Sequence, residues 1–419
     1  MKTIKYAIIG LGNRGKQLRN TLMTIKDIEC VAVCDTRLDF AENSANLYVE
    51  KGYKKPAIYT DYKKCIDESG AEAIVVATAW EAHSKVTLYA IEKGIPVACE
   101  VGGAYSLNQL WELVNAYEKY ETPVMLLENC CYGRLELMAL NMKRLGVFGE
   151  IVQCEGAYCH DLRYEIAIHG TVPGLTHYRL EEYKHRNTEN YPTHEIGPIA
   201  KLLDINCGNK FTYLHSFATK SVGMQSYINN KGYKELTSKY FTTEERDAGA
   251  QSLEGVKFLQ GDIITTVIGC QNGENVVIHL DTCLPRNYSR RFAVHGTKAF
   301  LNEENNSLFL DNTYTPVEEV QWYKNFGNDE KYQKDYDHRL WANYNPDAND
   351  GHGGIDYLVV NAFFDALKEN KPMPIDIYDM VTWMAIAPLA EESIATNNTV
   401  YFPDFTNGKW IRRKNEFEL

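Results

Sequence analysis

The sequence predicts an α/β protein: an N-terminal doubly wound parallel sheet, then an α+β half built on an open, largely antiparallel sheet. Three observations predict it. A short strand-forming run near the start breaks into Gly10-Leu11-Gly12-Asn13-Arg14-Gly15 and then into helical spacing. Across residues 1–124 apolar strand-like runs alternate with helical ones, the pattern of parallel strands joined by helices. From residue 125 to 419 strand-like runs dominate, two of them joined by Asn272-Gly273, a strong hairpin signal. These two stretches, 1–124 and 125–419, are the expected domains.

In the first stretch Lys5–Ile9 is the first strand. Gly10 permits a tight turn, Gly12 lets the backbone approach a pyrophosphate, and Gly15 lets helix and strand pack closely. The helix over Lys16–Ile25 offers free N–H groups and a positive dipole to phosphates. The next strand, Glu29–Cys34, ends in Asp35, 20 residues after Gly15, where an acid binds a ribose diol. A glycine fingerprint alone equally marks a tight turn between strand and helix. The strand, helix and terminal acid around this one point to a Rossmann dinucleotide site. Its expected contacts are Gly10, Leu11, Gly12, Asn13, Arg14, Gly15 and Asp35. Asp35 favours NAD over NADP because a carboxylate repels a 2′-phosphate, and Arg37 nearby softens that preference.

The alternation continues through a strand at Ala73–Thr78, a helix at His83–Glu92, a strand at Ile95–Glu100, a helix at Leu107–Tyr120 and a strand at Pro123–Glu128. Thr78, Trp80, His83, Glu100 and Glu128 fall at or just past strand C-termini, where doubly wound sheets bind ligands. They join the expected cofactor contacts, although His83 fits a helix-start packing role equally well.

In the second stretch Tyr132–Leu145 has amphipathic helical spacing closed by Gly146. Strands follow at Glu150–Tyr158, Phe211–Phe217, Asp262–Gly269, Val276–Cys283 and Arg291–His295, with helices at Glu195–Asp204, Ile355–Lys368 and Ile377–Thr396. Residues 305–352 are polar, aromatic and Asn/Asp-rich, which suggests a surface excursion over the site or at a subunit contact.

Composition narrows the function. A net charge of −12 lacks the basic footprint of a nucleic-acid binder and the cationic face that holds a helix on a membrane. No apolar run approaches the roughly 20 residues of a membrane span. Eleven cysteines without any Cys-x-x-Cys pair read as a reduced, cytoplasmic pool of buried thiols. No His/Cys/Asp/Glu cluster has metal-ligand spacing, so no required metal is expected.

The chain also resembles a known family. Glu100 ends the strand where the glucose–fructose oxidoreductase/inositol dehydrogenase (Gfo/Idh/MocA) superfamily carries Glu-Lys-Pro. Within that superfamily the sequence is similar to glycoside hydrolase family 109, the NAD-dependent α-N-acetylgalactosaminidases. The resemblance runs from residue 1 to about 410 and is carried by Ala77-Thr78-Ala79-Trp80-Glu81-Ala82-His83, Glu128-Asn129-Cys130-Cys131-Tyr132-Gly133-Arg134, Gly149-Glu150-Ile151 and Glu155-Gly156-Ala157-Tyr158. Tyr178-Arg179, Tyr191-Pro192-Thr193-His194, Gly351-His352-Gly353-Gly354-Ile355-Asp356 and Pro403-Asp404-Phe405-Thr406 carry it further. Three departures stand out. Val101-Gly102-Gly103 follows Glu100, so the dehydrogenases' proton-handling lysine is absent. Asn190 stands four residues before His194, where those dehydrogenases tend to place an aspartate. Gly102-Gly103 also occupies the place of a proline in the hydrolases.

The resemblance implies an NAD-dependent glycosidase, one of the exceptions to hydrolysis by paired carboxylates. Hydride leaves C3 of the sugar, the C2 proton is removed, the C1 substituent is eliminated, water adds, and the hydride returns. It implies Tyr158 as the C2 base and His194 as partner or base at the C3 hydroxyl. Arg179 and Glu128 orient the sugar, Tyr191 and Tyr288 bind it or assist the leaving group, Glu100 contacts the nicotinamide end, and His352 lines the pocket. A tyrosine base needs its pKa brought down from about 10, and a nearby cation such as Arg179, or the NAD⁺ ring itself, acts in that direction. By analogy with the superfamily, subunits pair as a homodimer or larger. Two alternatives stay open: a sugar or cyclitol dehydrogenase that releases NADH, and a silent NAD–sugar sensor.

Overall fold

A computed structural model describes residues 3–103, 105–169, 178–237, 242–311, 326–344 and 351–418. Its first sheet is all parallel and has six strands: β1 (Ile4–Ile9), β2 (Ile28–Cys34), β3 (Ala57–Tyr59), β4 (Ala73–Val76), β5 (Val97–Cys99) and β6 (Val124–Leu126), in the order β3-β2-β1-β4-β5-β6. The order reverses between β1 and β4, which opens the crevice at the strand C-termini. Tyr6–Ile9 in β1 and all of β4 are buried, as both-face coverage by helices requires.

The second sheet has eight strands: β7 (Ile151–Cys159), β8 (Phe211–Ala218), β9 (Ile263–Cys270), β10 (Asn275–Asp281), β11 (Ala293–Gly296), β12 (Ala299–Asn302), β13 (Ser307–Leu310) and β14 (Val400–Tyr401). They are ordered β13-β12-β11-β7-β10-β9-β8-β14. Every pairing is antiparallel except β7 with β10, and the Asn272-Gly273 turn joins β9 to β10 in hairpin register, Asn275 opposite Gly269. Leu214, Ile268, Ile278 and Cys154 point from this sheet into the core, where helices cover one face.

Two helical expectations shift for physical reasons. The expected helix over 377–396 is two, Ile377–Met384 and Ile386–Thr396, because Pro388 has no N–H to return to the preceding turn. The helix expected from Tyr132 starts at Arg134, since Asn129–Tyr132 winds as a tighter turn capped by the Glu128 carboxylate. The stretch 305–352 is described only in part. Its helix Glu330–Tyr336 packs on helix Arg134–Arg144, and Arg134 pairs with Asp337 at 2.7 Å; residues 312–325 and 345–350 lie outside the described residues.

Helix Ile355–Glu369 returns from the C-terminal half to the first sheet. It packs on helix Asn13–Leu22, and Phe364 sets its ring edge-on to Tyr6 at 5.8 Å. Among the described residues no helix is long and apolar enough to cross a membrane.

Candidate active site

The glycine turn is shaped for close approach. Gly10 has φ +95°, and a Cβ there would lie 2.5 Å from the backbone of Ala77 and Thr78. A Cβ on Gly15 would lie 2.0 Å from the Gly10 carbonyl oxygen, whereas one on Gly12 would meet nothing within 4 Å. The needs of Gly10 and Gly15 are therefore met by protein, while Gly12, where the backbone must approach a pyrophosphate, faces open space. Helix Asn13–Leu22 starts at Gly12 with no side-chain cap, so its first-turn N–H groups point outward unsatisfied by a side chain. Asp35 accepts the Leu11 N–H at 2.7 Å and the Arg37 N–H at 2.9 Å, which fixes its carboxylate beside the turn. The Arg37 guanidinium pairs with Asp39 at 2.6 Å and lies over the Phe40 ring at 3.9 Å. These residues fit an adenosine diphosphate with a free ribose diol: an uncapped helix start, a cradle without Cβ, and an acid at the end of β2.

Arg14, in the first turn of that helix, is held from two sides. Its Nε donates to Glu100 at 2.8 Å, and its two Nη atoms donate to the two Asp356 oxygens at 2.7 and 2.9 Å. Burial pushes the Glu100 carboxyl up against the pull of Arg14, whereas His352 and Arg14 overcome burial and hold Asp356 well below the usual range. His352 Nδ1 lies 2.8 Å from Asp356, so the structure places His352 beside the cofactor turn.

Behind the crevice, buried His83 sets its ring nitrogens against the carbonyls of Thr78 and Gly102 at 3.0 and 3.1 Å, tying together the loops after β4 and β5. Trp80 is 4% exposed and stacks on Tyr191 with centroids 5.5 Å apart and planes at 17°. Gly102 and Gly103 make room for it: a Cβ on Gly102 would lie 2.3 Å from the indole nitrogen, and one on Gly103 2.4 Å from the Trp80 carbonyl oxygen. Gly102 has φ +87°, a conformation closed to proline. Val101, at the place of the dehydrogenases' lysine, is buried, and the Asn190 amide donates to Gln260 at 3.3 Å.

The candidate catalytic side chains converge where the C-terminal end of β7 meets helix Thr193–Leu202. His194 Nδ1 sits 2.8 Å from Glu128 Oε1, which also accepts the Cys130 N–H at 2.9 Å. A carboxylate there requires the proton on Nδ1, leaving Nε2 with its lone pair for the site. Burial alone would raise the Glu128 carboxyl; the His194 ring and its hydrogen bond outweigh it and hold the group below its ordinary value. Tyr158, Tyr191 and His194 face one another, with centroids 4.8 Å apart for Tyr158–Tyr191 and Tyr191–His194 and 5.5 Å for Tyr158–His194. Buried Arg179 lies over Tyr191 at 4.6 Å and Tyr158 at 5.6 Å. Tyr288 stands half-exposed at the rim, 6.3 Å from Tyr158 between ring centroids.

Burial pushes the Tyr158 phenol up to about 12; Arg179 pulls downward but does not win. His160, which sequence reasoning missed, stands beside this phenol. Its Nδ1 lies 3.2 Å from the Tyr158 hydroxyl, and burial lowers its pKa, so the ring facing the phenol is neutral. The signal was present: residues two apart on a strand share a face. Asp356, four residues after His352 on a first helical turn, was missed in the same way. Among the described residues Glu128, Cys130 and His194 bring ligand-type atoms within 4.8 Å of one another, but burial raises the Cys130 thiol well above its usual value and keeps it protonated.

Comparison with known proteins identifies the lineage. Residues 4–127 match the family described as oxidoreductase family, NAD-binding Rossmann fold, and residues 132–412 match glycosyl hydrolase 109, C-terminal domain. The chain is 37% identical to a glycosyl hydrolase family 109 protein of Stenotrophomonas maltophilia, over 99% of this chain and 91% of that protein. It is 34% identical to an alpha-N-acetylgalactosaminidase of Tannerella forsythia, over 99% and 89%. The solved myo-inositol 2-dehydrogenase of Lactobacillus plantarum shares the fold, with TM-score 0.65 at 16% identity over 96% of this chain and all of that one. An NAD-binding Rossmann sheet, a sheet domain matched from Tyr132 to Arg412 and full-length identity above one third make this chain a member of glycosyl hydrolase family 109.

Proposed function

We propose that this protein cleaves α-N-acetylgalactosaminides, or closely related glycosides, with a retained NAD. The observation that carries the reading is the constellation of His194, Tyr158, Tyr191 and Arg179 gathered across the crevice from the glycine turn. The name of the Tannerella forsythia relative supplies the sugar. When bound, NAD would supply a reversible hydride acceptor for C3 of the sugar. Gly10, Leu11, Gly12, Asn13, Gly15 and Asp35 would hold its adenosine diphosphate half, with Thr78, Trp80 and Glu100 walling the nicotinamide end.

Every proton is then moved by the chain. His194 Nε2 takes the proton of the C3 hydroxyl, and Glu128 stabilises the imidazolium through Nδ1, as a buried carboxylate does for a catalytic histidine. The Tyr158 oxygen takes the C2 proton after passing its own to His160 Nδ1. The Arg179 cation stabilises the phenolate that this transfer creates. Tyr191, stacked on Trp80, and Tyr288 at the rim bind the sugar and its leaving group. Val101 offers no ammonium for a simple alcohol oxidation, which favours hydrolysis over net dehydrogenation. We further propose that residues 1–124 form the cofactor domain and 125–419 the substrate and pairing domain. Eleven free cysteines, all but Cys207 buried, fit a reducing, cytoplasmic setting, and apolar side chains on the outer face of the second sheet fit a homodimer.

Incubation with p-nitrophenyl α-N-acetylgalactosaminide and a glycoside panel, without added cofactor, tests the activity. Nitrophenol release without NADH accumulation, with C2 deuterium uptake from heavy water, is expected. Stoichiometric NADH with no aglycone overturns hydrolysis in favour of dehydrogenation.

A further inference from the structure

We propose that Asp356, carried to the first sheet by the C-terminal half, latches the glycine turn and sets how slowly the bound dinucleotide leaves. The inference rests on the NAD-dependent reading above and names the device that such a reading needs. An enzyme that reuses its cofactor each turnover gains from slow release, whereas a dehydrogenase must exchange it.

The latch is a closed network. Asp356 is fully buried, and both its oxygens are filled. Oδ1 accepts from Arg14 Nη2 at 2.9 Å and from the Asn129 amide at 2.7 Å; Oδ2 accepts from Arg14 Nη1 at 2.7 Å and meets His352 Nδ1 at 2.8 Å. Paired N–H···O bonds between guanidinium and carboxylate are strong and directional. Glu100 takes the remaining edge of Arg14 at Nε. Arg14 belongs to the glycine turn and Glu100 ends the region after β5. Asn129 follows β6, and His352 and Asp356 lie 338 and 342 residues beyond Arg14. One guanidinium thus ties the cofactor turn to the far end of the chain.

The backbone before Asp356 is built for this reach. His352, Gly353 and Gly354 have φ of +52°, +70° and +104°, a left-handed run that folds the chain back over the first turn of helix Ile355–Glu369. A Cβ on Gly351 would lie 2.6 Å from Asp356 Oδ2, so the loop lies directly on the carboxylate. The Arg14 side chain stays 26% exposed and that of His352 53%, so the network reaches the mouth of the crevice. Any widening of the crevice at the helix start must break the Arg14–Asp356 pair.

The test loads the full chain with isotopically labelled NAD, chases with excess unlabelled NAD, and follows bound label by mass spectrometry. Asp356→Asn keeps the size and the Asn129 contact region but removes the charge. Breaking a buried charge pair acts mainly on the off-rate, so label loss is expected to accelerate roughly tenfold or more. His352→Ala, at the exposed rim, is expected to accelerate it less, with circular dichroism unchanged, and keeps the proposal testable if Asp356→Asn fails to fold. Wild-type protein that holds label while both variants exchange at its rate overturns the latch alone. Wild-type protein that carries no nicotinamide dinucleotide as purified and also takes up no label overturns the cofactor reading and the latch with it.

Discussion

As the proposed C2 base, Tyr158 carries an apparent conflict: its proton is held more tightly than in water. Its phenol is pushed up to about 12 by burial, so at neutral pH the phenolate forms only as the proton moves to an acceptor, and His160 Nδ1 stands 3.2 Å away. Tyr158→Phe is therefore expected to abolish turnover while leaving glycoside binding measurable by calorimetry. His160→Ala should lower kcat by about 10²–10⁴, the usual worth of a positioned proton acceptor. Its residual activity should climb with alkalinity toward the phenol's own pKa, because bulk solvent then has to take the proton. A kcat profile of the same shape in wild type and His160→Ala would exclude this relay. Gly102 makes a second argument at this scale. An alanine there would bring Cβ within 2.3 Å of the Trp80 indole at a φ of +87°. Gly102→Ala should lower stability by about 1–3 kcal/mol and loosen the Trp80–Tyr191 stack, read as a fall in Tm together with a shifted tryptophan emission. Residue identity was widely legible in the sequence because Tyr158, Arg179, Tyr191 and His194 sit in motifs. Their electrostatics were not, because the balance between burial and Arg179 at Tyr158 is set by the packing of distant segments.

At the scale of elements, the segment that presents Tyr191 and His194 is bounded by two buried acids. Glu189 and Glu195 are 0% and 2% exposed, and each contributes a side-chain contact to the other. Burial pushes both carboxyls well above their usual values. The folded state thus binds protons that the unfolded chain releases. By linkage its stability is greatest below the ordinary carboxylate range and declines as pH rises toward the folded values. Glu195→Gln keeps the shape without the titration. Its Tm is expected to match wild type in mild acid and to exceed it by a few degrees in mild alkali. Parallel Tm–pH curves for the two proteins would exclude a buried acid pair. The start of helix Thr193–Leu202 was readable from the sequence to within two residues; the pair was not, because Glu189 precedes the helix and meets Glu195 only when the turn folds. The break before Ile386 was visible in Pro388, whose missing N–H argues against one continuous helix, whereas the parallel β7–β10 pair was not, because no local pattern announces it.

For the whole molecule, the argument turns on the second sheet's two faces. The inner residues of β8, β9 and β10 are buried against helices, while Tyr213, Phe217 and Tyr401 stand 45%, 53% and 74% exposed on the other side. His215 stacks on Phe217 at 4.5 Å, and Phe217 lies in register with Thr265 of β9, itself opposite His279 of β10. A solvated face of an antiparallel sheet alternates to polar residues; an aromatic row there needs a cover. The homodimer proposed above would provide one by two-fold pairing, in which the same patch meets itself. The candidate catalytic side chains lie elsewhere, at the end of β7 and on helix Thr193–Leu202, so such pairing would stabilise the protein without completing the site. Phe217→Lys combined with Tyr401→Lys places like charges across such an interface. Sedimentation velocity at micromolar concentration is expected to show a dimer for wild type and a monomer for the double variant. The glycoside-cleaving rate per chain should stay within about twofold, since surface changes remote from a site rarely reach it. A wild-type chain that sediments as a monomer would leave the aromatic row without a partner of its own kind, and loss of activity in the monomer would mean that the partner shapes the site after all.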